Sequence, residues 1–249
     1  MAAAPHIEIR DLTMAYGEFV IQHDLNFVVN KGDIFVVMGG NGCGKTTLMR
    51  ALIGLQRPAR GTVFYSGEDF WNVPPEQQAR LKRRLGIMFQ GGALWSSLTL
   101  AENVALPLKE YTDLPARRIA GIVSFKLALV GLAGFEEFYP AELSGGMKKR
   151  AGLARAMALD PDILVIDEPS SGLDPLTARR LDDLILELRD SLGTTIVVIT
   201  HELASILGIG TNSVFLDSEN HTMINTGNPR EAVVSGDARV RHFLTRGAA

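Results

Sequence analysis

Short unbroken apolar runs punctuate this chain, and between them apolar residues recur at helical spacing. Ile34-Phe35-Val36-Val37-Met38, Leu85-Gly86-Ile87-Met88-Phe89, Ile163-Leu164-Val165-Ile166 and Thr195-Ile196-Val197-Val198-Ile199 have strand length and little polarity, which predicts buried strands. Ile7-Glu8-Ile9-Arg10-Asp11-Leu12 alternates in the manner of a half-buried strand leading to Tyr16-Gly17. Phe27-Val28-Val29 precedes Asn30-Lys31-Gly32-Asp33, residues that favour a hairpin turn. Residues 54–61 form a polar connection, and Gly61-Thr62-Val63-Phe64-Tyr65 is a strand that breaks at Ser66-Gly67-Glu68. The first part therefore reads as antiparallel strands beside a βα unit. Helical patterns follow at 76–84, across most of 99–158 and at 176–192, with Thr99-x-x-Glu102 a capping box and Pro107, Pro115 and Pro140 punctuating the helices. Val214-Phe215-Leu216-Asp217 and residues 221–225 suggest a late hairpin, and no repeat or linker divides the chain.

Candidate chemistry sits where these runs end. Between the strand 34–38 and the helical run that begins at Leu48 lies Gly39-Gly40-Asn41-Gly42-Cys43-Gly44-Lys45-Thr46-Thr47, which fits G-x-x-x-x-G-K-[ST]. Four glycines in six positions let the backbone curl its N–H groups inward, making a concave nest for a polyphosphate at a helix N-terminus. Lys45 adds a point charge for the outer phosphates, and the Thr46 hydroxyl is placed to ligate Mg²⁺. The alternative is a glycine-rich turn with a surface lysine, and the flanking strand and helix argue against it.

The run 163–166 ends in Asp167 and Glu168. In open parallel sheets ligands bind at the carboxyl ends of the strands, so Asp167 can help hold Mg²⁺ through water and Glu168 can polarise an attacking water. A solvated acidic turn capped by Pro169 is the plainer reading. Leu143-Ser144-Gly145-Gly146-Met147 opens a helix running to Ala158, a second anion-type site unless Ser144 is only an N-cap.

Composition narrows the field. At 249 residues, 46% hydrophobic and 21% charged, with net charge −3, the chain is of globular type without the basic excess of a nucleic-acid binder. The longest apolar runs are far shorter than a membrane span, and Met1-Ala2-Ala3-Ala4-Pro5-His6 lacks the pattern of a signal peptide. Cys43, the single cysteine, fits a reducing compartment and reads as filler of the glycine loop rather than a nucleophile. Work at a membrane would require another subunit.

The order of these features, with Gln90 after the strand 85–89, Ser171-Gly172-Leu173-Asp174 after Glu168 and Thr200-His201 after the strand 195–199, resembles the ABC-type ATPase subunit across the whole chain. The resemblance implies an α/β fold: a P-loop (RecA-like) core with an antiparallel β-subdomain, and a helical subdomain at about 96–158 inserted within one domain, 1–249. It implies a head-to-tail homodimer with two ATP molecules, each between the P-loop of one copy and the Ser144-Gly145-Gly146 helix of the other. Tyr16 matches the aromatic that stacks on adenine, though a plain strand-end tyrosine is the alternative. Gln90 matches the glutamine that touches Mg²⁺ and the water, His201 the switch histidine at the γ-phosphate with Glu168 as base, and Asp174 the loop that crosses the interface. His6, His23, His221 and His242 match nothing and are expected at the surface.

Met147-Lys148-Lys149 and Gly40 depart from the commoner pattern without removing a catalytic atom. Leu143-Ser144-Gly145-Gly146-Met147-Lys148-Lys149-Arg150, Gly92-Ala93-Leu94-Trp95-Ser96-Ser97-Leu98-Thr99, Asn103-Val104-Ala105-Leu106-Pro107-Leu108 and His201-Glu202-Leu203 together resemble the ATPases of MCE-type (Mla-like) lipid transporters. That implies permease subunits, an MCE-domain lipid-binding protein and a place on the cytoplasmic face of a bacterial inner membrane. The loop 91–98 would then present Trp95 to a permease; a core tryptophan is the competing reading. Residues 240–244 read as a docking segment or a frayed tail. An ABC ATPase serving amino acids or another small molecule stays open, as do a soluble ABC-type protein acting on DNA or ribosomes and a nucleotide sensor without turnover. Intact Lys45, Glu168 and His201 speak against the sensor.

Overall fold

The computed structural model describes residues 5–245; residues 1–4, part of the stretch read above for a signal peptide, and 246–249 lie outside it. The chain opens with a hairpin of β1 (Ile7–Tyr16) and β2 (Phe19–Val29), then β3 (Ile34–Met38) and α1 (Lys45–Leu52), β4 (Arg60–Tyr65) and β5 (Glu68–Asp69). Next come α2 (Pro75–Arg83), β6 (Leu85–Met88), α3 (Leu100–Tyr111), α4 (Ala116–Leu129), α5 (Gly145–Ala156) and β7 (Ile163–Asp167). The remainder is α6 (Pro175–Leu192), β8 (Thr195–Ile199), α7 (Leu203–Ile209), β9 (Asn212–Leu216), β10 (Met223–Gly227), α8 (Pro229–Ser235) and α9 (Ala238–Leu244).

Two sheets result. One is antiparallel, in the order β2-β1-β4-β5; the other runs β10-β9-β3-β8-β7-β6, with parallel pairing from β9 to β6. All five residues of β3, of β7 and of β8 are buried, because the six-stranded sheet is covered on both faces. Phe35, Val37, Ile163, Val165, Val197 and Ile199 pack toward the antiparallel sheet and α1. Their alternate neighbours Leu164, Ile166, Ile196 and Val198 pack toward α3, α4, α5 and α6. Val36 and Met38 meet α7, α8 and α9. The α/β arrangement that the resemblance implies is therefore the observed one.

Three expectations change. The turn 30–33 does not close a hairpin: β2 and β3 belong to different sheets, and the turn carries the chain from one to the other. The Gly32 N–H is held by the Thr195 hydroxyl at 2.9 Å. Pro107 does not end a helix but lies inside α3, where packing against α4 and α5 outweighs the lost hydrogen bond, about 3 kcal/mol for an interior proline. Residues 240–244 are not frayed: they belong to α9, with Val240 and Leu244 buried against the chain's own core.

Candidate active site

Parallel pairing gathers the loops after β3, β6, β7 and β8 at one edge of the sheet, with Val37 and Asp167 both aligned on Ile199. The loop after β3 needs its glycines. A Cβ on Gly39, at φ +149°, would stand 2.5 Å from the Leu216 carbonyl oxygen, and one on Gly44, at φ +95°, 2.7 Å from the Ile21 side chain. Gly40 has open space around it, so its position tolerates the departure noted above. Lys45, buried at the start of α1, donates to the carbonyls of Gly39 and Gly40, both at 2.9 Å. Asn41, Gly42 and Thr46 are exposed, whereas Thr47 is buried in α1. Cys43 is buried and burial raises its thiol pKa, which suits a filler rather than a nucleophile.

Asp167 ends β7 and is buried. Burial and the adjacent Glu168 push its carboxyl above the usual range, while Lys45, Arg50 and Lys149 pull it back. Glu168 follows at φ +47°, a left-handed conformation unusual for a side chain of this size. Its N–H donates to the Ile199 carbonyl at 2.8 Å, and its carboxylate accepts from His201 Nδ1 at 2.7 Å and the Thr200 hydroxyl at 3.4 Å. The exposed His201, the half-buried Glu168 and the buried Asp167 thus lie at the sheet edge that carries Lys45. Gln90 is exposed at the end of β6 on the same edge. The Thr46 hydroxyl, Gln90 amide and Asp167 carboxylate offer only oxygen donors suited to a small hard dication, and a dication beside Asp167 would offset its repulsion with Glu168.

Tyr16, at the end of β1, is 49% exposed; its hydroxyl donates to Gln56 at 2.9 Å and accepts from Arg50 of α1 at 3.1 Å. Its ring is therefore anchored by one tip beside the glycine loop. Ser144 caps α5, accepting from the Met147 N–H at 3.3 Å, and Gly146 packs so closely that a Cβ would lie 2.6 Å from Thr177. Asp174 caps α6 through the N–H groups of Leu176 and Thr177. Among the described residues no hydrogen bond joins 144–146 or Asp174 to the loop 39–47. One chain holds two separate parts.

Several residues escaped the sequence reading. Gln22, fully buried, donates to the carbonyls of Cys43 and Asp217 and so ties the glycine loop to β9. Lys149 is buried in α5 and donates to the Glu168 carbonyl at 2.8 Å. Asp182 is buried on α6, accepting from Ser205, which in turn meets Ser170. His6, expected at the surface, is buried, with Nδ1 2.7 Å from the Thr195 hydroxyl and its pKa lowered by burial. It lies where β1 begins, against the start of β8, where a polar ring is admitted because a hydroxyl meets it. His221 and His242 are exposed and His23 is partly so. Trp95 is 63% exposed, which removes the core reading.

Comparison with known proteins agrees with this geometry. The family described as ABC transporter matches residues 22–171. The chain is 38% identical over 238 residues to the intermembrane phospholipid transport system ATP-binding protein MlaF of Haemophilus influenzae, covering 96% of this chain and 89% of that one. Escherichia coli MlaF is 39% identical over 241 residues, with 96% and 88% covered. The probable ribonucleotide transport ATP-binding protein mkl of Mycobacterium tuberculosis is also 39% identical, but the match spans 66% of its length. Among solved structures, the dimeric cassette MJ0796 bound to ADP and Pi superposes with TM-score 0.80 at 26% identity, covering 89% of this chain and 98% of that one. CbiO1 of Clostridium perfringens shares the fold at TM-score 0.85 and 24% identity, covering 97% and 95%. With its phosphate loop, carboxylate strand and Ser-Gly-Gly helix placed as described, this chain belongs to the ABC transporter family as an ATP-hydrolysing cassette.

Proposed function

We propose that the chain powers a transporter of phospholipid or related lipids at the cytoplasmic face of a bacterial inner membrane. It works as a head-to-tail homodimer, through permease subunits and beside an MCE-domain lipid-binding protein. The lipid reading is carried by 38–39% identity over 96% of the chain to two proteins named for intermembrane phospholipid transport. The mycobacterial relative, named for ribonucleotides, is matched over a smaller share of its length. No helix among the described residues is long and apolar enough to cross a membrane, so membrane work falls to partners. Trp95 on the exposed loop after Gln90 supports permease docking. So does a groove of about 380 Å³ lined by Ile53, Leu55, Ile87, Pro107 and Tyr111.

The chemistry follows from the residues. Backbone N–H groups of the loop 39–44 and Lys45 bind the phosphates, Lys45 exchanging two neutral carbonyls for stronger charged acceptors. Thr46, Gln90 and Asp167 would hold Mg²⁺, which when bound neutralises charge on the phosphate oxygens. Glu168 accepts a proton from the attacking water, its carboxylate aimed by the Nδ1–H of His201, and His201 braces the γ-phosphate. Tyr16 stacks on the adenine. Ser144, Gly145 and Gly146 of the partner subunit close the phosphate cage at their helix N-terminus, and Asp174 lies in the loop that crosses the interface.

The observation that carries the mechanism is the Glu168–His201 pair at 2.7 Å on the edge that bears Lys45. Glu168→Gln is expected to lower phosphate release by about 10²–10⁴-fold and to accumulate an ATP-bound dimer on size exclusion. Turnover at the normal rate would reject Glu168 as the base. For the substrate, the complex purified from membranes should carry phospholipid, a permease and an MCE-domain protein; an amino-acid-binding partner would overturn the lipid reading.

A further inference from the structure

Lys149 sits little more than one helical turn from Ser144, on the same helix α5, and only 4% of it is exposed. A buried ammonium is costly unless its surroundings compensate. Here Lys149 Nζ donates a hydrogen bond to the Glu168 carbonyl at 2.8 Å, and the carboxylates of Glu168 and Asp167 oppose the effect of burial on its charge. The Glu168 backbone is therefore gripped on both sides, its N–H by the end of β8 and its carbonyl by α5. The grip matters because Glu168 is at φ +47°, a conformation that costs a non-glycine residue about 1–2 kcal/mol. Without Lys149 the Glu168 carbonyl would keep the longer bond from the Ser171 N–H, at 3.4 Å, so the left-handed residue would be less firmly held and its carboxylate less firmly aimed at His201.

We propose that Lys149 is a positioning residue that links the two ATP sites of the dimer. The inference rests on the homodimer reading above. Within one chain, the N-terminus of α5 faces the nucleotide on the partner's phosphate loop, whereas Glu168 serves the nucleotide on its own. Lys149 is the strut between them. When Ser144 and Gly146 seat against the partner's nucleotide, α5 carries Lys149 with it, and the Glu168 carbonyl follows. Each site then has its base in position only when the other is filled. The coupling runs through one buried hydrogen bond and one left-handed residue, a contiguous physical path with two arrangements.

The test compares ATP hydrolysis by the full chain with that of Lys149→Met, which keeps an unbranched apolar stem but removes the terminal donor, and Lys149→Arg, which keeps a cation and a donor. Lys149→Met is expected to lower kcat by about tenfold or more, to leave KM for ATP within about threefold, and to bring the Hill coefficient down to one. Lys149→Arg should restore both kcat and the Hill coefficient. Wild-type kcat in Lys149→Met would overturn the proposal, and so would a lowered kcat with the wild-type Hill coefficient retained. Thermal unfolding accompanies each variant. If Lys149→Met does not fold, Lys149→Leu, which likewise removes the donor, is measured against the same expectations. Glu168→Gln with ATP is run in parallel. If it fails to dimerise, the two-ATP reading itself is wrong; if it dimerises while Lys149→Met keeps full cooperativity, only the strut is.

Discussion

At the scale of single residues, Asp182 offers the clearest energetic consequence. One carboxylate oxygen accepts from Ser205 at 2.9 Å, and the other is buried without a hydrogen-bond partner among the described residues. Burial pushes its pKa from 3.8 up to about 6, against the opposing effects of the Ser205 bond and Arg179. The unfolded chain releases this proton near pH 3.8 and the folded chain near 6, so in that window the folded state binds more protons. Stability from this group is therefore greatest at low pH and falls as pH rises, by about 3 kcal/mol once above pH 6. Asp182→Asn should match the wild type near pH 4 and gain melting temperature relative to it between pH 4 and 6.5, as calorimetry at a series of pH values will read. A constant difference across that range would rule the account out. Leu181-Asp182-Asp183-Leu184 gives no hint of this from sequence, because adjacent acids on a long helix look like a solvated face. Gln22 was hidden for another reason. Met14 pairs with Gln22 but Leu12 with Leu25, so β2 carries an extra residue near Asp24, at φ +53°. That bulge turns Gln22 inward, and a period of two cannot foresee it.

At the scale of elements, the segment from 91 to 111 shows what holds a presenting loop in place. Thr99 and Glu102 form the capping box read from their spacing, each accepting from the other's N–H. Asn103, one residue further and fully buried, accepts from the Trp95 N–H and donates to the carbonyls of Trp95, Leu98 and Thr99. The backbone of the loop is thus stapled to α3 while the Trp95 ring stays outside. Asn103→Ala strands those buried groups and should cost about 3 kcal/mol, a fall in melting temperature on the order of 10 °C. If the loop docks on a permease as proposed, Asn103→Ala should also reduce any stimulation of ATP hydrolysis by that partner. A variant with unchanged melting would show that the staple bears no load. The cap was legible because its two residues lie three apart; the staple was not, since asparagine within a helix ordinarily faces water.

At the scale of the molecule, the sheet order places β3 between β8 and β9, and the loops that matter converge because the pairing around it is parallel. That convergence was readable from the strand-length apolar runs and from the polar residues just after each. The packing that holds it was not, since which face of β3 meets α9 and which meets α1 depends on contacts between residues far apart in sequence. The separation of the Ser144-Gly145-Gly146 helix from the phosphate loop within one chain was foreshadowed by two anion-type motifs lying a hundred residues apart. It is the property on which the proposed composite site rests.

If the catalytic cage is split between two copies as proposed, the enzyme answers to mass action before it answers to substrate. Below the dissociation constant of the nucleotide-bound pair, the rate per chain should grow in proportion to the concentration of chains, then level off. Measured over a 100-fold dilution series at saturating ATP, specific activity should fall with dilution, and a flat line would mean that one chain suffices. In the proposed transporter, a membrane partner that holds two copies side by side would also set their effective concentration, so a cassette released from it would fall silent without any inhibitor.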